Sequence, residues 1–459
     1  MEKFDLNKKI HVHFIGIGGI SMSGLAELLL SKGFEVSGSD GKKSEMVEKL
    51  ISLGADVKIP QAADNIKEGT GLVVYTAAIH DDNPELIAAR NSGIPTVSRA
   101  DFLGAVMQNY ELPVSVAGTH GKTTTTSMIS EVLLGSEKNP TISVGGMLPS
   151  IGGNFRVGGN KFFVTEACEY TNSFLSFYQK IAVILNIDAD HLDFFKDLDD
   201  IRSSFHKFAS SVPEDGCLVI NGDIDKVGEF SSDLKCKVIT YGHKETSEYY
   251  PTDIRFDGFA HASYTLNKGS EVIGTIELSV PGKHNIYNSM AAYISCSLLG
   301  LSYDEIAPLL KNYHGTDRRF QKKGEFHGVT VIDDYAHHPT EIAATIDAAK
   351  HCPHRTIWIV FQPHTYSRTK ALFNEFADVL ATADKLIIAD IYAARETDNL
   401  GISSKMLAAE IRKRGGDAYH FDSFLEIEKF LQQNCINGDL LITMGAGDVY
   451  KIGEDLLSC

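Results

Sequence analysis

A chain of 459 residues is long enough for about three domains, and 43% hydrophobic against 22% charged residues is the balance of a globular protein. A net charge of −17 excludes non-specific nucleic-acid binding, which needs clustered lysine and arginine to neutralise phosphates. Seven scattered cysteines with no C-x-x-C pair point to free thiols in a reducing compartment, and no apolar run approaches the ~18 residues of a membrane span. A soluble, cytoplasmic protein with neither nucleic-acid nor membrane partner is expected.

Residues 10–108 alternate strand-like runs (12–17, 35–37, 72–76) with helical segments (22–31, 84–91, 100–108), the pattern of a parallel sheet covered by helices. Gly16, Gly18 and Gly19 form a turn between the first strand and helix, with Ser21 where a third fingerprint glycine would fall. Asp40 follows about twenty residues later, as the ribose-binding carboxylate of a dinucleotide site does. NAD(P), another nucleotide and a structural turn all remain open for this motif, and Asp40 also reads as a turn or cap residue.

Residues 111–113, ending in Pro113, read as a linker. An apolar run at 114–117 then enters Gly118-Thr119-His120-Gly121-Lys122-Thr123-Thr124, with a helix expected through 134. This is the strand–loop–helix of a phosphate-binding loop. Backbone N–H groups, the positive end of the helix and the Lys122 ammonium converge on one anion, and the Thr123 hydroxyl reaches its magnesium. The spacing is shorter than usual, with Val116 standing in place of the first glycine. The expected ligand is a nucleoside triphosphate.

Further strands are expected at 162–165, 181–186 and 218–220, then a β-rich stretch at 252–280 and a helix at 286–299. Glu166 ends the first of these strands; Asp190 and His191 follow the second. Strand C-termini of a parallel sheet share one edge with the phosphate loop, so Glu166 and His191 are expected to face the terminal phosphate. Glu166 with Thr123 suits magnesium, which prefers hard oxygens. His191 is a softer ligand and reads equally as a loop histidine capping a helix. Near Lys322-Lys323-Gly324 the pattern resets, with strands at 329–332, 356–360, 386–389 and 440–444 between helical segments. The chain reads as three α/β domains, 1–110, 111–321 and 322–459.

Six segments occur in one order: Gly118-Thr-His-Gly-Lys-Thr123, Glu166-Ala-Cys-Glu169, Asp190-His191-Leu-Asp193, His284-Asn-Ile-Tyr-Asn288, Asp317-Arg-Arg319-Phe320 and Asp333-Asp-Tyr-Ala-His337-His338-Pro339. Together they resemble the Mur ligases, the ATP-dependent amide-forming enzymes of peptidoglycan precursor synthesis, over essentially the whole chain. The resemblance implies a Rossmann-like N-terminal domain holding a UDP-sugar at Gly16, Gly18, Gly19, Ser21 and Asp40. It implies a central P-loop ATPase-type domain holding MgATP and a Rossmann-like C-terminal domain bringing the amino acid. Lys122 and the loop Gly118, Thr119, His120, Gly121, Thr123 and Thr124 would bind ATP phosphates, and Asn285 and Asn288 would lie at the adenine side. Arg319 and Asp334 would serve the ATP site across the domain junction.

Thr123 and Glu166 would hold one magnesium and His191 a second, while Tyr335, His337 and Arg368 resemble the amino-acid-binding set. Arg368 suits a substrate carboxylate, which guanidinium binds bidentately. Lys122, His191, Arg319 and His337 are the implied catalytic residues, and His338 reads as a residue orienting the turn before Pro339. The implied reaction joins L-alanine to UDP-N-acetylmuramate through an acyl phosphate, in a monomer or weak homodimer. The rival within the family joins a tripeptide to the same UDP-sugar. Thr365 departs from the arginine that many L-alanine-adding members carry at that position, and no lysine carbamylation is expected, His206 standing at the relevant place.

Overall fold

The structure, a computed structural model, describes residues 2–192, 194–394 and 396–458, so Asp193 of the quoted motif lies outside the described residues. Its strands form three sheets. The first has five parallel strands in the order Asp56–Lys58, Glu35–Ser39, His11–Ile15, Thr70–Tyr75 and Thr96–Ser98. Its central strand buries Val12, Phe14 and Ile15 completely, as a parallel strand covered on both faces must. The outer strands Asp56–Lys58 and Thr96–Ser98 are three residues each, too short to announce themselves by alternation.

The second sheet has ten strands. Its parallel middle runs Lys237–Tyr241, Cys217–Asn221, Ile181–Ile184, Leu112–Ala117, Phe162–Ala167 and Thr141–Leu148. Gly153–Arg156 adds an antiparallel strand at one end; Tyr249–Phe256, His261–Lys268 and Glu271–Pro281 form an antiparallel extension at the other. This order places Leu112–Ala117, which feeds the phosphate loop, between the strands that lead to Asp190 and to Glu166.

The expected linker at 111–113 is corrected. Leu112 N donates to Lys161 O at 2.8 Å and Pro113 O accepts from Lys180 N at 2.9 Å, so both residues already belong to the sheet. Pro113 stands second in its strand, where its missing N–H costs the ladder little.

The third sheet has the order Gln321–Phe326, Val329–Asp334, Leu440–Met444, Ile357–Phe361, Lys385–Ile388 and Ala418–His420; Gln321–Phe326 is antiparallel to its neighbour. Lys322-Lys323-Gly324, where the sequence pattern resets, is thus an edge strand, and its lysines discourage pairing with another chain. No helix among the described residues is long and apolar enough to cross a membrane.

Arg318 fastens the segment leaving the central unit to this third sheet. Its Nε donates to Asp333 Oδ2 at 3.0 Å, and one terminal nitrogen donates to Gly445 O and Gly447 O at 2.7 and 3.1 Å. The guanidinium lies 4.9 and 4.6 Å from the ring centres of Tyr335 and Tyr450. Arg318→Ala should therefore lose about 3 kcal/mol of stability, because it strands an Asp333 carboxylate that is 2% exposed. Urea denaturation followed by tyrosine fluorescence checks this; a midpoint equal to that of the parent protein would contradict it.

Candidate active site

The apolar strand Leu112–Ala117 ends at Gly118, and Gly121, at φ 82°, starts the helix Lys122–Gly135. A Cβ on Gly121 would meet Asn288 Oδ1 at 2.6 Å, so the loop lies directly against the helix His284–Leu298. Asn186 clamps the loop from the neighbouring strand end: its Oδ1 accepts from His120 N at 2.7 Å and its Nδ2 donates to His120 O at 3.0 Å. Thr119 Oγ1 accepts from Asp188 N at 2.9 Å. Lys122 Nζ donates to Gly118 O and Thr119 O and pairs with Glu169 Oε2 at 3.0 Å. Burial opposes the ammonium charge, but Glu169 more than offsets that and raises the Lys122 pKa above its ordinary value.

Thr123 opens the helix after the loop, and Glu166 lies in the strand paired with the loop strand. Glu166 Oε1 accepts from Gly145 N, and Thr123 Oγ1 accepts from the Arg319 guanidinium at 3.3 Å. A Cβ on Gly145 would come within 2.7 Å of Glu166 Oε2, and one on Gly146 within 3.2 Å of the Thr123 methyl, so the glycine pair lets this strand lie close to both side chains. A hydroxyl and a carboxylate are the hard donors magnesium takes. Among the described residues no three His, Cys, Asp or Glu side chains cluster to hold a metal, so phosphate oxygens and water would complete the shell.

His191 does not cap the following helix. That helix is Leu198–Ser210, and Asp197 caps it. The His191 ring packs instead 4.6 Å from the Tyr170 ring, with Nε2 3.8 Å from Asp190 Oδ2. Burial lowers its pKa, leaving a neutral imidazole that can ligate.

Beyond the loop lies a cleft of about 240 Å³ whose walls include Asn285, Asn288, Arg319, Phe320 and Asp334. Asn288 Nδ2 donates to Asn285 Oδ1 at 2.9 Å, and both are buried rather than solvent-facing. Asp334 accepts from Phe320 N at 2.7 Å and Ala336 N at 2.8 Å, and burial lifts its pKa to about 6; it frames the cleft by holding two loops.

A second cavity, of about 510 Å³, is lined by residues of both units, among them Tyr170, Asp190, His191, His364, Arg368 and Glu396. Arg368 Nε and one terminal nitrogen both donate to Asp190 Oδ1, at 3.1 and 3.0 Å. Burial opposes the Asp190 charge, and the Arg368 guanidinium outweighs it, holding the carboxyl well below its usual range. Thr365 caps the helix Tyr366–Ala371 through Arg368 N at 3.4 Å.

Tyr335 and His337 do not line this cavity. The Tyr335 ring lies 5.1 Å from the Arg319 guanidinium and edge-on to His337 at 5.5 Å. Burial lowers the His337 pKa to about 4, and its Nδ1 donates to Tyr335 O at 3.0 Å. His338 caps the helix Pro339–His351 through Thr340 N, and its Nε2 reaches Ala189 O at 3.2 Å, so it braces the junction as well as the turn.

At the N-terminal turn, Gly16 N and Ile17 N donate to Ser39 O, Gly19 N to Gly16 O, and Gly18 N to Asp40 Oδ2 at 2.9 Å. Asp40 thus braces the glycine turn. The donors that face outward here are the first N–H groups of the helix Ile20–Ser31, which carries Ser21. Sequence reasoning missed Asn186 as the loop clamp, Glu169 as the Lys122 counter-ion and Glu341, described below. Glu169 closes one of the six quoted segments, Asn186 stands just past a strand end, and Glu341 falls in the first turn after His338-Pro339.

Family models match in chain order: "Mur ligase family, catalytic domain" over residues 11–111, "Mur ligase middle domain" over 116–296 and "Mur ligase, glutamate ligase domain" over 318–447. The UDP-N-acetylmuramate–L-alanine ligases of Lachnospira eligens and Agathobacter rectalis are 58% and 56% identical to this chain, each alignment covering 100% of both proteins. The crystal structure of the Thermotoga maritima UDP-N-acetylmuramate–alanine ligase superposes with a TM-score of 0.81 at 29% identity, covering 98% of each chain.

His120 links the phosphate loop to the third sheet's first helix. Its Nδ1 lies 3.2 Å from Glu341 Oε1, and its Nε2 3.2 Å from Asp188 Oδ2, although off the line of a hydrogen bond; the His338 ring is 4.8 Å away. Burial and the nearby His284 and His338 oppose its charge, but the two carboxylates prevail and raise its pKa to about 9. A pKa raised above the ordinary ~6.5 gives stability that is complete below that pH and is lost as pH rises through about 9. The thermal midpoint should therefore fall more steeply between pH 7 and 10 in the parent protein than in His120→Gln. Parallel profiles would contradict the assignment.

Proposed function

The chain belongs to the Mur ligase family, and we propose that it joins L-alanine to UDP-N-acetylmuramate, with cleavage of ATP to ADP and phosphate. One observation carries the reading. The Arg368 guanidinium, on the helix Tyr366–Ala371 that follows the third-sheet strand Ile357–Phe361, meets Asp190 at 3.0 Å beside His191, at the same edge of the central sheet as the phosphate loop. A carboxylate-binding group is thereby set next to a phosphate-binding one, as joining an amino acid to an activated acid requires.

A carboxylate does not react with an amine unaided, because oxide is a poor leaving group. In the proposed sequence the lactyl carboxylate attacks the γ-phosphorus and ADP leaves. The amine of alanine then attacks the acyl carbon, and phosphate departs carrying one former carboxylate oxygen. Lys122 neutralises charge on the transferring phosphoryl group, and the loop N–H groups fix its position. Thr123 and Glu166, with His191 for a second ion, would hold magnesium, which spreads the phosphate charge. Arg319 reaches the same site from across the junction. The incoming ammonium must also lose a proton, and His191 and His337, whose charged forms burial disfavours, are the two candidate acceptors.

ADP release with UDP-N-acetylmuramate and a panel of amines tests the reading. L-Alanine should support turnover well above glycine, L-serine or a cell-wall tripeptide; preference for the tripeptide would favour the recycling ligase instead. In the same assay Lys122→Ala should lose at least about a hundredfold in kcat while remaining folded, and near-normal turnover would remove the phosphate-loop assignment. Arg368→Ala should raise the KM for L-alanine by orders of magnitude and leave that for ATP nearly unchanged. Equal rises in both would place the alanine carboxylate elsewhere.

A further inference from the structure

The helix Arg99–Met107 begins with a cation, at the end where the helix dipole disfavours one. The nearest carboxylate on its own helix is occupied: Asp101 accepts from Ser98 Oγ and Ser176 Oγ, each at 2.7 Å. Among the described residues Arg99 forms no ion pair, and its side-chain partner is the Ser21 hydroxyl, 3.4 Å from one terminal nitrogen. Ser21 lies in the first turn of Ile20–Ser31, so a second helix presents its positive end to the same guanidinium.

Lys122, Arg318 and Arg368 each have a carboxylate at 3.0 Å. Arg99 is partly buried without one. Burial accordingly lowers its pKa, with Cys168, the residue following Phe162–Ala167, as the neighbouring group on the central unit. The Ser176–Asp101 bond ties the helix to that unit and fixes where the guanidinium sits. A partly buried guanidinium without a carboxylate partner, at the start of one helix and against the first turn of another, attracts an external anion.

We propose that Arg99 binds an anionic group of the nucleotide-sugar, its diphosphate or its carboxylate, at the junction of the first and second sheets. This rests on the ligase reading above. The planar fork of guanidinium matches either group with two parallel hydrogen bonds. It also supplies an electrostatic reason for the glycine turn to accept an acidic ligand although most of its own N–H groups are committed internally.

Calorimetry on the full chain separates the possibilities, using UDP-N-acetylmuramate and UDP-N-acetylglucosamine, which shares the diphosphate but lacks the lactyl carboxylate. Arg99→Gln should weaken UDP-N-acetylmuramate binding at least tenfold, with Arg99→Lys intermediate and ATP affinity unchanged in both. Equal weakening for both sugars assigns the diphosphate; weakening for the muramate alone assigns the carboxylate. Parent-like binding by Arg99→Gln would overturn the proposal and leave the ligase reading standing. Loss of ATP binding to the same degree would make Arg99 a structural residue and overturn it too. A parent protein that binds neither sugar would overturn both.

Discussion

A cation withdrawn from water has to be matched by an anion, and the Lys122–Glu169 pair at 3.0 Å is where this chain meets that demand most directly. The role proposed for the ammonium needs it charged, and the counter-ion comes from just past the strand next to the loop. Glu169 follows Phe162–Ala167, which pairs with Leu112–Ala117 along six residues. The sheet order is therefore part of the chemistry. Placing Phe162–Ala167 on one side of the loop strand and Ile181–Ile184 on the other brings Glu166, Glu169, Asn186 and Asp190 to a single edge.

Two charge pairs and two hydrogen bonds join the C-terminal unit to that edge. Arg368 meets Asp190, Glu341 meets His120, Arg319 reaches Thr123, and His338 reaches Ala189 O. These contacts alternate between the phosphate loop and the segment after Ile181–Ile184, so the two units meet around the proposed reacting groups. A site composed this way is complete only when the units are together.

Long, apolar parallel strands and the glycine-lysine-threonine loop were legible in the sequence because each is encoded locally, by a hydrophobic run or by a turn followed by a helix. The three-residue strands were not, having too few positions for a period, and Pro113 masked the first residues of a central strand. His191 and Asp40 were ambiguous because their roles depend on partners distant in sequence. Asp197 caps the helix that His191 was a candidate to cap, and Asp40 accepts from Gly18 N. Arg99 carried no signal at all. An arginine opening a helix looks like a surface residue until the neighbouring helix end and the absence of an ion pair among the described residues are seen together.

Activation of a carboxylate at the shared edge of the central sheet is the claim on which the rest turns, and following the oxygen tests it most directly. UDP-N-acetylmuramate labelled with oxygen-18 in its lactyl carboxylate is turned over with ATP and L-alanine, and the released phosphate is examined by mass spectrometry. The account predicts one labelled oxygen in each phosphate formed, since the carboxylate oxygen that attacks phosphorus leaves with it. Phosphate free of label, formed alongside product, would contradict it.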